Sequence, residues 1–182
     1  MSKRTPAYLV LKSAVLFLSL LCFYPLSATN PQKKEMKELN VKKVSLANVA
    51  GGNGPALLDK EKVDFQSINT VNWKAFPYQP EVQFRIAHTD DAILIHYKVK
   101  EASVRAVATG DNGAVWEDAC VEFFSVPAGD GIYYNVECNF GGTLLIGAGG
   151  GRSNREHAPQ EVMDKVQRWS SLGRESFEER VG

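Results

Sequence analysis

The sequence predicts an all-β fold, an antiparallel β-sandwich of jelly-roll-like form with one short helix near the C-terminus. Three observations predict it. Residues 82–88 and 92–99 alternate apolar with polar side chains around the turn at Thr89, Asp90 and Asp91, the period of a half-buried strand. Residues 115–124 and 132–140 are rich in β-branched and aromatic side chains, and Pro127, Gly129, Asp130 and Gly131 between them are turn chemistry. Strands recur along the chain with turn signals between them, as in an antiparallel sandwich. At 182 residues and 44% hydrophobic content the chain can enclose one core.

Taken in order, residues 1–28 read as a secretory signal peptide. Lys3, Arg4 and Lys12 precede an apolar run from Ala14 to Tyr24, and small residues lead to a cut after Ala28. The run is short for a membrane span, so a secreted or periplasmic protein is expected. Cys22 offers lipoprotein anchoring as the alternative, which the bulky Leu21 before it disfavours. Residues 29–40 are polar and Lys/Glu-rich, a linker, and the folded domain is expected over 41–182. A first strand is expected at 41–49, ended by the glycines at 51, 52 and 54. Residues 64–73 are ambiguous, continuing into an extended edge through Phe76 and Tyr78, with Trp73 expected as a buried aromatic and a second stacking platform as the alternative.

Beyond the two clear strands, 104–108 makes a short one, closed by the turn at 110–113. After the central hairpin, residues 143–146 extend its second strand and 147–151 form a flexible glycine-rich loop. That loop lacks the Lys-Ser/Thr and the βαβ setting of a phosphate-binding turn. Pro159 starts a short helix whose apolar positions are Val162, Val166 and Trp169, the last expected in the core; part of 165–172 could equally form a strand.

The 21 basic and 21 acidic residues balance, and no basic stripe with interleaved aromatics points to nucleic acid. Losing Lys3, Arg4 and Lys12 makes the mature chain mildly acidic. Cys120 and Cys138 remain in an oxidising compartment, but they fall on opposite strand faces, so free thiols are expected rather than a bridge. His88 and His96 sit in strands with no third ligand at a recognisable spacing.

The central hairpin carries the chemistry. On its second strand Tyr134, Val136, Cys138 and Phe140 take one face, and Tyr133, Asn135, Glu137 and Asn139 the other. On the first, Ala119, Val121 and Phe123 oppose Trp116, Asp118, Cys120, Glu122 and Phe124. Pairing the apolar sets puts Glu122 roughly across from Asn135 and Cys120 across from Glu137. One solvated polar face then holds Trp116, Glu122, Asn135 and Glu137, an indole beside carboxylates and an amide, which suits a sugar ring. Two carboxylates on neighbouring strands cost a few tenths to about 1 kcal/mol. Water can absorb that, or an arginine, a metal ion or a polyol can relieve it.

The run WEDACVEFF, the YYNVECN strand and Gly141-Gly142-Thr143 resemble the core of family 9 carbohydrate-binding modules, over roughly residues 63–182. The resemblance implies a β-sandwich that binds sugars, often at a chain end. It places Trp116 at the stacking position and Glu122 at the acidic sugar-binding position. Asn135 and Glu137 fall on the two polar positions of the next strand, where the family commonly has Arg and Asn. It also implies structural calcium, for which the acidic turns at 90–91 and 110–113 are the oxygen-rich places, although such turns have their own backbone reasons. Family domains continue with further strands, one with a second stacking aromatic, so a short or truncated member, or a sandwich that closes differently, is expected here.

The leading expectation is therefore a non-catalytic saccharide-binding module that supports polysaccharide catabolism. The enzyme alternative makes Glu122 and Glu137 the acid–base pair of a glycoside hydrolase. A third alternative is a haem-holding sandwich, drawing axial ligands from Met36, Met163, His88, His96 and His157.

Overall fold

The computed structural model describes residues 38–45 and 53–181, with the side chains of 180 and 181 excepted. The expected signal peptide, Cys22, Met36 and most of the linker lie outside the described residues. The fold is the expected all-β sandwich class. The first sheet is built on a hairpin of β3 (Glu81–His88) and β4 (Ile93–Lys100), in continuous antiparallel register from Glu81↔Lys100 to His88↔Ile93. Thr89 closes its turn: the hydroxyl accepts from the Asp91 and Ala92 N–H groups at 3.2 and 2.9 Å. Two short strands share the other edge of β3. β2 (Gln66–Ile68) pairs antiparallel through Gln66↔Phe84, and β1 (Lys42–Lys43) pairs parallel through Lys42↔Ala87.

Between β1 and β2 the chain forms a helix, α1 (Gly54–Lys60), where only a glycine turn was expected. Pro55 at its first turn suits a helix start, because proline's fixed φ is helical and its missing N–H has no partner there anyway. Leu58 anchors it in a small core with Val44, Ala87, Val63 and Leu94. Arg85 is buried beneath α1, donating to Asp59 Oδ1 at 2.6 Å, to the Pro55 carbonyl at 3.0 Å and to His96 Nδ1 at 3.1 Å. Its guanidinium stacks on Phe65, 4.4 Å from the ring centroid.

A two-stranded sheet pairs β5 (Ser103–Ala106) with β10 (Phe177–Val181). The last sheet runs β6 (Cys120–Ser125), β7 (Tyr133–Asn139), β8 (Leu144–Gly149) and β9 (Glu156–His157), all antiparallel. The Tyr97 hydroxyl of β4 donates to the Glu122 carbonyl of β6 at 3.0 Å, tying first sheet to last. A second core gathers Leu144 and Ile146 of β8 with Met163 of the short helix α2 (Gln160–Met163), packed by Val136, Cys138, Ala158 and Val166. The helix expected after Pro159 forms but ends at Met163, short of Val166 and Trp169, and residues 165–172 contain neither helix nor strand.

Three local expectations fail for identifiable reasons. Residues 143–146 do not extend β7: Gly142, at φ +77°, reverses the chain, and β8 returns antiparallel through Cys138↔Leu144. The glycine-rich stretch is not a flexible loop, since Gly147 and Gly149 are strand residues of β8. A Cβ at Gly147 would lie 2.7 Å from Asn135 Oδ1, and one at Gly149 would lie 2.5 Å from the Asn154 carbonyl oxygen. The glycines serve close approach of neighbouring chain. Trp73 and Trp169 are surface residues, 71% and 56% exposed, rather than core.

Candidate functional site

The central hairpin begins later than its composition suggests. Val115–Glu117 is a 310 turn, with Glu117 N–H on the Ala114 carbonyl and Asp118 N–H on that of Val115, both at 3.1 Å. Asp118 holds the chain in this shape. Its buried carboxylate accepts from the Val107 and Ala108 N–H groups and from Asn139 Nδ2 at 2.9–3.1 Å, with Arg105 at 3.4 Å. Burial pushes this carboxyl up, but those hydrogen bonds and Arg105 together outweigh it and hold it below its ordinary range. Trp116 therefore stands on a turn packed against β6 and β7, not on the strand face of Glu122, and its side chain is 57% exposed.

The register also differs from expectation. Glu122 lies directly across from Glu137, Cys120 from Asn139 and Phe124 from Asn135. This is a shift of two residues, which moves the pairs but keeps every side chain on its expected face. The turn between the strands is centred one residue later than expected, with Gly129 and Gly131 at positive φ and Asp130 Oδ1 accepting the Ile132 N–H at 2.9 Å.

The polar face of β7 is not solvated. Asn135, Glu137 and Asn139 are 0%, 5% and 3% exposed, more buried than Val136 and Cys138 on the other face. Asn139 is satisfied: it donates to Asp118 and to the Ala108 carbonyl and accepts the Thr143 N–H at 2.9 Å. Asn135 and Glu137 are not. Asn135 Nδ2 donates to Glu137 Oε1 at 2.8 Å, while Asn135 Oδ1 and Glu137 Oε2 are buried with no donor among the described residues. Flipping the amide would set two oxygens against each other, so the Glu137 acceptor fixes its orientation. Each orphaned acceptor costs about 1–3 kcal/mol.

Around this pair, Glu122 offers an exposed carboxylate that accepts from the Cys120 thiol at 3.7 Å. Partial burial and the facing Glu137 charge push the Glu122 carboxyl up, opposed by Cys120, Arg152 and Arg155. Arg155, leading into β9, places a guanidinium nitrogen 3.9 Å from Glu137 Oε1 and its Cζ 5.8 Å from the Tyr133 ring centroid. Tyr133 and the half-exposed Phe124 meet at a tilt, with centroids 6.3 Å apart. Thus β6 and β7 bring Glu122, Asn135 and Glu137 together, and Trp116 comes from a separate turn. Sequence reasoning missed Arg155 and the Phe124–Tyr133 pair. The alternation itself placed both rings on this face, while nothing local marks Arg155.

The remaining polar candidates are engaged elsewhere. Cys120 and Cys138 are free thiols on opposite faces, as expected, and burial pushes them up to about 12 and about 11. Asp111 is clamped by Arg168 at 2.6 and 2.8 Å, and Asp90 pairs with Lys43. No group of three His, Cys, Asp or Glu side chains suited to a metal occurs among the described residues. Met163 is core, His96 accepts from Arg85, and His88 Nδ1 lies 2.7 Å from the Thr89 carbonyl oxygen.

Three comparisons bear on this arrangement. The model of carbohydrate-binding family 9 matches residues 53–182. A crystal structure of "a putative carbohydrate-binding protein from Bacteroides uniformis ATCC 8492" is 60% identical, with a TM-score of 0.76 over 79% of this chain and 66% of that one. The match thus spans just under two thirds of that protein's chain. No curated protein matches the sequence.

Proposed function

Because the chain belongs to carbohydrate-binding family 9, we propose that it binds a saccharide without cleaving it, on the outer face of β6 and β7 near Trp116. The observation that carries this reading is the pair of buried acceptors, Asn135 Oδ1 and Glu137 Oε2, left without donors among the described residues beside the exposed Glu122 carboxylate. These acceptors are closed to solvent, so a sugar hydroxyl would meet the exposed Glu122 carboxylate directly and the buried pair through a bridging water. Ring faces at Trp116 and at Phe124–Tyr133 supply the apolar contact that a pyranose presents to an aromatic. Few contacts of about 1 kcal/mol each, less the cost of immobilisation, suggest micromolar to millimolar dissociation constants. A glycan array followed by titration calorimetry tests the reading, and a folded protein that binds no saccharide would end it.

The role extends to an exported module that supports polysaccharide catabolism, on the basic–apolar–small pattern of residues 1–28. Mass spectrometry of the exported protein should find a start near Thr29; an intact Met1 or a lipid on Cys22 would count against it.

One observation favours a hydrolase as the second reading: Glu122 and Glu137 lie directly opposite each other on neighbouring strands, a pair of carboxylates such as a glycosidase uses. Aryl-glycoside hydrolysis lost on replacing either glutamate would establish it.

A further inference from the structure

Arg155 is the feature of this face that the saccharide reading leaves unused. Gly147 and Gly149 of β8 let the chain at 154–155 cross unusually close. Cβ atoms there would fall 3.5 Å from Arg155 Cβ and 2.9 Å from Arg155 Cα respectively. The glycine-rich stretch thus sets where Arg155 stands. Its guanidinium is near Glu137 without hydrogen-bonding to it, at 3.9 Å, and lies toward the Tyr133 ring. Among the described residues its guanidinium contacts are this ion pair and this ring, which leave donors for a ligand. Beside it are the two facing carboxylates and two buried acceptors that lack donors.

We propose that Arg155 is the specificity-determining residue of this site: it balances the Glu122–Glu137 pair and selects uncharged saccharides over amino sugars carrying a free ammonium. The proposal rests on the saccharide reading above. Two carboxylates alone would favour a cationic sugar, because an ammonium both donates to orphaned acceptors and neutralises like charges. A guanidinium already in place removes that advantage and repels a second cation, and such a repulsive element is a common source of specificity. It also turns unspent donors toward hydroxyl oxygens, which ammonium groups lack. Arg152, exposed on the same connection, adds positive charge that reaches Glu122.

The test is calorimetric titration of the whole exported chain with matched sugar pairs: glucose and glucosamine, galactose and galactosamine, mannose and mannosamine. It is run near pH 6, about two units below a typical amine pKa of roughly 8, so that the amines are charged. The wild type should bind the neutral member of its preferred pair at least about tenfold more tightly. Arg155→Gln should shrink or reverse that ratio by a similar factor, and Arg155→Lys should keep it. Should Arg155→Gln fail to fold, the wild type still decides. Raising salt from about 0.05 to about 0.5 M screens the charge and should narrow the ratio. An unchanged ratio in folded Arg155→Gln, a salt-independent ratio, or a wild type that prefers the amino sugar would overturn the proposal. A wild type that binds no sugar overturns the saccharide reading itself, and this inference with it.

Discussion

Glu122 and Glu137 face each other directly across β6 and β7, and they differ sharply in environment: Glu122 is exposed, whereas Glu137 is 5% exposed and bound to Asn135. One carboxylate is offered to solvent and the other is set beneath it as an acceptor. The relationship makes the pair a built feature of the hairpin rather than incidental surface charge.

The pair should show in stability against pH. The Glu122 carboxyl is raised above its ordinary 4.5 by partial burial and then by the Glu137 charge, so the folded protein holds its proton more tightly than the unfolded chain. Its contribution is therefore full below the unfolded value and is lost as pH rises through the raised folded value. Asp118 runs the other way: its lowered carboxyl stabilises above 3.8 and loses that contribution as pH falls through its folded value. Denaturant melts from about pH 3 to 7 should show a stability decline on the upper side of 4.5 that Glu122→Gln removes. A decline of equal size in the variant would contradict the assignment.

Glu137→Gln keeps an oxygen for Asn135 Nδ2, removes the like-charge opposition and puts an amide donor in place of the unpartnered Oε2. Thermal stability should hold or rise by up to about 1 kcal/mol, while saccharide affinity falls. A loss of several kcal/mol would mean that the Glu137 charge, beside Arg155 at 3.9 Å, is needed by the fold itself.

Asp118→Ala should be the costly change nearby. It strands the Val107 and Ala108 N–H groups and one Asn139 bond in a buried place, so a loss of about 3 kcal/mol or more is expected in chemical denaturation. A near-neutral effect would show that the 310 turn holds itself without that carboxylate.

Much of this fold is legible in the sequence where period and turn chemistry agree. The β3–β4 hairpin is such a case: alternation fixes the faces and Thr89-Asp90-Asp91 fixes the reversal. Faces on β6 and β7 are likewise readable, because alternation survives a register shift of two. What fails is whatever depends on distant partners. The 310 turn at Val115–Glu117 exists because Asp118 finds backbone donors at 107–108, which no local pattern encodes. The burial of Asn135 and Glu137 depends on chain at 154–155 crossing β8, and that crossing is written only as glycines easily mistaken for a loop. Trp73 and Trp169 fail differently: hydrophobicity argues burial on average, but individual aromatics stay on surfaces.

The central claim is that this face holds a saccharide with Trp116 as an aromatic contact, and calorimetry on Trp116→Ala beside the wild type tests it most directly. With its side chain 57% exposed, truncation should leave the melt within about 1 kcal/mol of wild type while removing most of the affinity for the best sugar from the array. A stability loss of about 3–5 kcal/mol would make Trp116 a core residue. Unchanged affinity in a folded variant would contradict the account.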